Sequence, residues 1–108
     1  MTLGELNTLL KATGYPVAYS HFVETNNTPI PNPPYITYLA NDSSNFIADN
    51  KVYKKINNIT IELYTDKKEL VAEGKLESIL DANEIAYQSY ETYIETEKLF
   101  QKIYEVRL

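Results

Sequence analysis

The sequence predicts an α+β fold, with two helices packed on one face of a mostly antiparallel sheet of four or five strands. Three observations lead there. Apolar residues recur at helical spacing in two segments, and elsewhere they alternate as a half-buried strand requires. Strands and helices do not follow one another as repeating βα units, so no all-parallel sheet is expected. The 108 residues, 44% hydrophobic and 23% charged, show no internal repeat and no compositional break, which predicts one core and a single domain over residues 1–108.

Residues 2–13 predict the first helix. Leu3, Leu6 and Leu10 share a face, Thr2 and Glu5 have capping-box spacing, and Gly14 supplies a left-handed stop. Residues 15–19 follow as a short strand or extended arm, because Pro16 prevents continuation of the helix. Residues 23–34 concentrate Asn, Thr and Pro, which predicts a loop of polyproline character and a candidate mobile arm. Tyr35 to Leu39 read as a strand that ends at the turn formers 41–45. A second strand is expected over 51–64, where Ile59, Ile61 and Leu63 face one way and Thr60, Glu62 and Tyr64 the other. Asn57-Asn58 would mark a bulge within it. Residues 67–82 predict the second helix, through Ala72, Leu76, Ile79 and Leu80, with a capping signal from Thr65-Asp66 to Glu69, a weak point at Gly74 and a stop at Asn83. Residues 85–95 and 99–108 then form two strands about a turn at 96–98, with Phe100, Tyr104, Val106 and Leu108 on one face.

Composition narrows the function. With no cysteine there are neither disulfides nor thiolate metal sites. No apolar run approaches the ~20 residues of a membrane helix, and the first residues lack a basic region followed by an apolar stretch, so the chain is expected to stay in the cytoplasm where it is made, with no membrane partner. A net charge of −5 repels a phosphate backbone and argues against nucleic acid as a partner. Ten tyrosines without a tryptophan suit half-wet protein surfaces as well as strand interiors.

Candidate chemistry is sparse. His21 beside Ser20 is the one pair that could suggest a base and a nucleophile, yet neighbours in an extended chain do not face each other and no nucleophile elbow surrounds them. A metal at His21 would have to rely on carboxylates alone. Asn41-Asp42-Ser43-Ser44-Asn45 and Asp49-Asn50 offer oxygen ligands but lack the glycine and terminal glutamate of a calcium loop. Glu91, Glu95 and Glu97 read as a solvated or interface edge. Three isolated glycines form no phosphate loop. Lys51, Lys54, Lys55 and the pair Lys67-Lys68 are offset by nearby acids; they read as strand and helix surface, or as complementary patches between identical subunits. The expectation is a non-enzymatic protein without cofactor or metal.

Four segments carry a resemblance: Pro33-Pro34-Tyr35-Ile36-Thr37-Tyr38, Phe46-Ile47-Ala48-Asp49-Asn50-Lys51-Val52-Tyr53, 58–68 (Asn58-Ile59-Thr60-Ile61-Glu62 through Lys68) and Tyr93-Ile94-Glu95-Thr96-Glu97. Together they resemble the tail-completion and tail-terminator proteins encoded among the head-tail joining genes of siphophages of Firmicutes. The resemblance implies a virion protein that caps the head-proximal end of the tail tube, usually as a ring of six, and contacts the tail-tube protein and the head-tail connector. Head closure or a minor capsid role is the nearest alternative, and a small acidic binding module or inhibitor is the alternative from another class. A ring needs a heterologous interface that closes on itself, and sheet edges or proline-rich arms are suitable material for one. The candidate contacts are Tyr35, Tyr38, Tyr53 and Tyr64 with the arm residues Pro29 and Pro31.

Overall fold

The first helix begins where its cap closes. Thr2 Oγ1 accepts from the Glu5 N–H at 3.1 Å and Glu5 Oε1 accepts from the Thr2 N–H at 3.2 Å, which starts α1 (Leu3–Lys11) with Leu6 and Leu10 on its buried side. Gly14, at φ +86°, then turns the chain toward the sheet. The computed structural model describes all residues except Ser44, Asn45, Asp49 and Lys55, and no side chains at 46–48 or 52–54. After α1 come β1 (Val17–Tyr19), β2 (Tyr35–Ser43), β3 (Phe46–Ala48), β4 (Lys51–Lys54), β5 (Asn57–Thr65), α2 (Leu70–Ala82), β6 (Tyr87–Ile94) and β7 (Leu99–Arg107).

Five strands form one sheet in the order β1-β2-β5-β7-β6, antiparallel except for β1 with β2, while β3 and β4 pair separately as a hairpin. This is the α+β fold expected. The register places Ile36, Tyr38 and Ala40 beside Leu63, Ile61 and Ile59, and the last two beside Tyr104 and Val106, so alternate residues of three strands make one apolar face. Leu6 and Leu10 of α1 and Ala72, Leu76 and Leu80 of α2 join the same core, all with no exposed surface. The opposite face carries Tyr35, Thr37, Glu62, Tyr64, Gln101 and Tyr90.

Three local expectations are corrected. The strand from Tyr35 does not stop at residue 41: β2 continues to Ser43, with Asn41 as an extra residue between the pairs Ala40–Ile59 and Asp42–Asn58. The irregularity foreseen at Asn57-Asn58 therefore lies opposite them, in β2, where a bulge lets turn-forming residues stay in the ladder. Residues 51–64 are not one strand, because β4 belongs to the hairpin with β3 and β5 to the main sheet. The second helix starts at Leu70 rather than 67; Glu69 is its N-cap and makes no side-chain cap bond, so the capping signal at Thr65-Asp66 is not used. Thr65 is instead a buried strand residue paired with Phe100.

Asn83 does end α2, but the left-handed residue is the next one. Glu84 sits at φ +55°, its N–H donates to Asp81 O at 3.1 Å and that of Ile85 to Leu80 O at 2.9 Å, the paired closing bonds of a Schellman turn. Ile85 and Leu80 are both buried beneath it. A β-carbon at this geometry costs about 1 kcal/mol. Glu84→Gly is therefore expected to raise the urea midpoint by an amount worth about 1 kcal/mol, at unchanged slope; an unchanged or lower midpoint would contradict it.

Candidate functional site

The face of the sheet away from the helices is partly roofed by residues 20–34, the crossover that lets β1 and β2 run parallel. Its Phe22 packs edge-on against Tyr35, with ring centroids 5.3 Å apart, and Tyr35 stacks on Tyr64 at 5.1 Å and 29°. Tyr35 and Tyr64 meet because the register makes them direct partners across β2 and β5. Beside them lies an open groove of about 270 Å³, walled by Phe22, Ile30, Tyr35, Tyr64, Ile94 and Leu99, with His21 and Glu97 also lining it.

Under the aromatic stack is a polar knot. Glu62 Oε2 accepts from the Tyr64 hydroxyl, from Gln101 Nε2 at 2.9 Å and, at 3.4 Å, from the buried Thr37 hydroxyl, while Gln101 Nε2 also reaches the Tyr64 oxygen at 3.0 Å. Burial first, and then the bond to Glu62, pushes the Tyr64 phenol far above its ordinary range, so it stays a donor. The knot fixes both Tyr64 and the floor of the groove. Burial likewise raises Tyr35, helped by the charge of Glu97.

The structure brings some of the expected contact residues together and separates others. Tyr35 and Tyr64 form the stack, Pro31 is half-buried and Pro29 exposed in the crossover flanking Ile30. Tyr38 is corrected: it points to the other face, is 6% exposed, and packs edge-on against Tyr19 within the core side of the sheet. The alternation of β2 dictates this, since Tyr38 shares a face with Ile36. The backbone of Tyr53 runs in β4, and its side chain lies outside the described residues. The arm is also less free than expected, because Phe22 pins one end and Thr25 and Thr28 exchange backbone bonds at 3.0 and 3.2 Å in a closed turn.

Ser20 and His21 do meet, contrary to expectation. Ser20 has φ +67°, which breaks the extended geometry and brings its Oγ within 3.1 Å of His21 Nδ1. The pair is exposed, and among the described residues no carboxylate orients the imidazole. Two of the oxygen-rich turn formers are occupied by the bulged ladder instead: Asp42 Oδ1 accepts from Asn58 Nδ2 at 2.7 Å and Asn41 Oδ1 from Thr60 Oγ1 at 2.9 Å, while Ser44, Asn45 and Asp49 lie outside the described residues. Among the described residues no group of three acidic or histidine side chains could hold a metal, and no helix is long and apolar enough to cross a membrane.

Sequence reasoning read Glu91, Glu95 and Glu97 as a solvated or interface edge but missed the exposed tyrosines on the strand that carries Glu91. β6 is exposed on both faces along most of its length, with Tyr90 and Tyr93 52% and 48% exposed. Glu91, there, is bridged at 2.8 Å by Lys68, which also meets the buried Glu73 at 2.9 Å, and the bonds to Glu91 and then Glu73 raise the lysine. This ties the approach to α2, with its exposed Leu70 and Val71, to β6. The signal was available: Tyr-Gln-Ser-Tyr-Glu-Thr-Tyr-Ile contains no alternating apolar set, as a strand without a buried face requires. Comparison with protein-family models and with curated proteins finds no match.

Proposed function

We propose that the protein is a non-enzymatic structural subunit that closes into a ring, usually of six, on the head-proximal end of a phage tail tube and there meets the head connector. The observation that supports this reading most directly is the crossover of residues 20–34. It is exposed along 23–30, anchored by Phe22, and borders an apolar groove floored by Tyr35 and Tyr64. The exposed turn at 23–28, which does not line the groove, and the groove itself are two different surfaces on one chain, which is what a head-to-tail ring interface needs. Tyrosine walls suit it, because they contribute apolar area at low entropic cost while their hydroxyls tolerate water before assembly. Each contact is then weak alone, and the tube template raises the effective concentration of neighbours. The resemblance of residues 33–38, 46–53, 58–68 and 93–97 to tail-completion proteins supports assigning such a ring to the virion.

Deleting residues 25–32 tests the reading. The seven crossover residues that remain reach about 23 Å when extended, enough to return beside the three-residue β1. The melting temperature is expected to fall by only a few degrees, since the deleted segment adds nothing to the core. Phages assembled with the shortened protein should carry unterminated tails of irregular length in electron micrographs. Correctly terminated tails would sink the proposal.

A further inference from the structure

The two outer edges of the sheet are built differently. At the β1 edge only three residues pair, Pro16 before them has no N–H to donate, and Ser20 after them turns away at φ +67°. Tyr19 closes that edge further, its hydroxyl oxygen accepting from the Ala40 N–H at 3.2 Å where β2 runs past β1. These are the usual devices that stop an edge from pairing. The β6 edge has none of them. Eight residues pair with β7 in unbroken register, without proline, lysine or bulge. Its single charged residue is Glu91, bridged at 2.8 Å by Lys68, which it shares with Glu73. Among the described residues no strand lies outside it, so alternate N–H and C=O groups along the strand face outward.

We infer that the β6 edge is a docking edge for β6 of a second copy of this chain, antiparallel across a twofold axis, giving one continuous ten-stranded sheet. Directly opposed residues on antiparallel strands point to the same face, so a twofold between identical strands must pass through a residue and its own mate. Two registers give the longest overlap, centred on Tyr90 or on Glu91. Centring on Glu91 opposes two carboxylates, which is unfavourable. Centring on Tyr90 opposes the two Tyr90 rings, sets Tyr87 against Tyr93 of the second copy on the other face, and places Glu91 against Ser89. Aromatic pairs then lie on both faces of the joint and no like charges meet. The inference concerns the free protein and does not depend on the tail reading.

A single added strand pair buries less than a standard interface, so association is expected in the range of about 10–100 μM. Sedimentation velocity from well below to well above that range should show a monomer–dimer equilibrium. The chain has no cysteine, so one introduced thiol reports symmetric contact cleanly. Tyr90 and Tyr93 are almost equally exposed, yet at the twofold the two 90 positions come about 4.5–5.5 Å apart, within disulfide reach, whereas the two 93 positions sit roughly 20 Å apart. Tyr90→Cys should therefore oxidise to a covalent dimer at least tenfold faster than Tyr93→Cys. Tyr90→Lys, whose ammonium Glu105 can accept because it already lies 3.4 Å from the Tyr90 hydroxyl, should keep the fold by circular dichroism and abolish the dimer. A monomer at every concentration, equal oxidation rates at positions 90 and 93, or a dimer unaffected by Tyr90→Lys would each overturn the inference.

Discussion

Raising the pH above about 10 is expected to destabilise the protein progressively, and two tyrosines drive most of the loss. Tyr104 is fully buried and Tyr64 half-buried, and both phenols are held far above their ordinary range, chiefly by burial and then by bonds to Glu77 and Glu62. In the unfolded chain both ionise near pH 10. Because the folded state holds these protons more tightly, their contribution is complete below pH 10 and is lost as the pH rises from there. Each tyrosine ionised only in the unfolded chain removes about 1.4 kcal/mol per pH unit, so the pair removes about 2.7. A domain stabilised by about 5–10 kcal/mol would be unfolded some two to four units higher. Urea midpoints should thus stay level up to pH 9.5 and then fall, with phenolate absorbance appearing together with loss of circular dichroism. Tyr104→Phe should roughly halve the slope. Unfolding that leaves the slope unchanged in this variant would show that other groups control alkaline stability.

How much of this architecture was legible depends on what each residue answers to. The α1 cap, the buried set Ile59, Ile61 and Leu63, and the final hairpin from β6 to β7 obey local chemistry and period, and all stand where the sequence puts them. The capping pattern at Thr65-Asp66 failed because Thr65 pairs with Phe100 across 35 residues, a contact no local rule contains. The strap over the tyrosine face was readable as a loop from its prolines, but its anchoring was not, since Phe22 reaches Tyr35 only once β1 and β2 are parallel. Tyr38 shows the same limit from the other side. It differs from Tyr35 in nothing but its odd-numbered separation, and that alone sends one ring to the core and the other to the groove. Of the candidate site, then, composition identified the residue type and the strand period should have divided the set.

The exposed tyrosines and the buried ones consequently do different work. Tyr90 and Tyr93 place aromatic surface in water at the β6 edge of the sheet, whereas Tyr87 and Tyr104 pack edge-on at 5.4 Å and direct their hydroxyls at one carboxylate. Substitutions in the first group should alter association with little effect on stability, and Tyr104→Phe, at the fully buried ring, the reverse.

Glu77→Ala is expected to be among the most destabilising single changes outside the apolar core, at about 2–4 kcal/mol. Glu77 lies on α2 between Leu76 and Leu80, and its two oxygens accept from Tyr104 at 3.0 Å and Tyr87 at 3.2 Å, tying the helix to β7 and to the start of β6. The helix depends on such tertiary bonds, because its N-cap contributes no side-chain bond and Gly74 weakens its first turns. Removing the carboxylate leaves the Tyr104 hydroxyl buried without an acceptor, and hydrogen bonds to a charged group are worth about 1.5–3 kcal/mol each. Glu77→Gln keeps one oxygen acceptor and should cost about half as much. Tyr87→Phe, removing the more exposed of the two donors while Glu77 keeps Tyr104, should cost less than about 1 kcal/mol. In a double-mutant cycle, Glu77→Ala combined with Tyr104→Phe should be less destabilising than the sum of the two, because the second change removes the donor that the first leaves stranded. Strict additivity, or a Glu77→Ala variant as stable as the parent, would mean that the carboxylate is solvated at the surface and that α2 is held by its leucines alone.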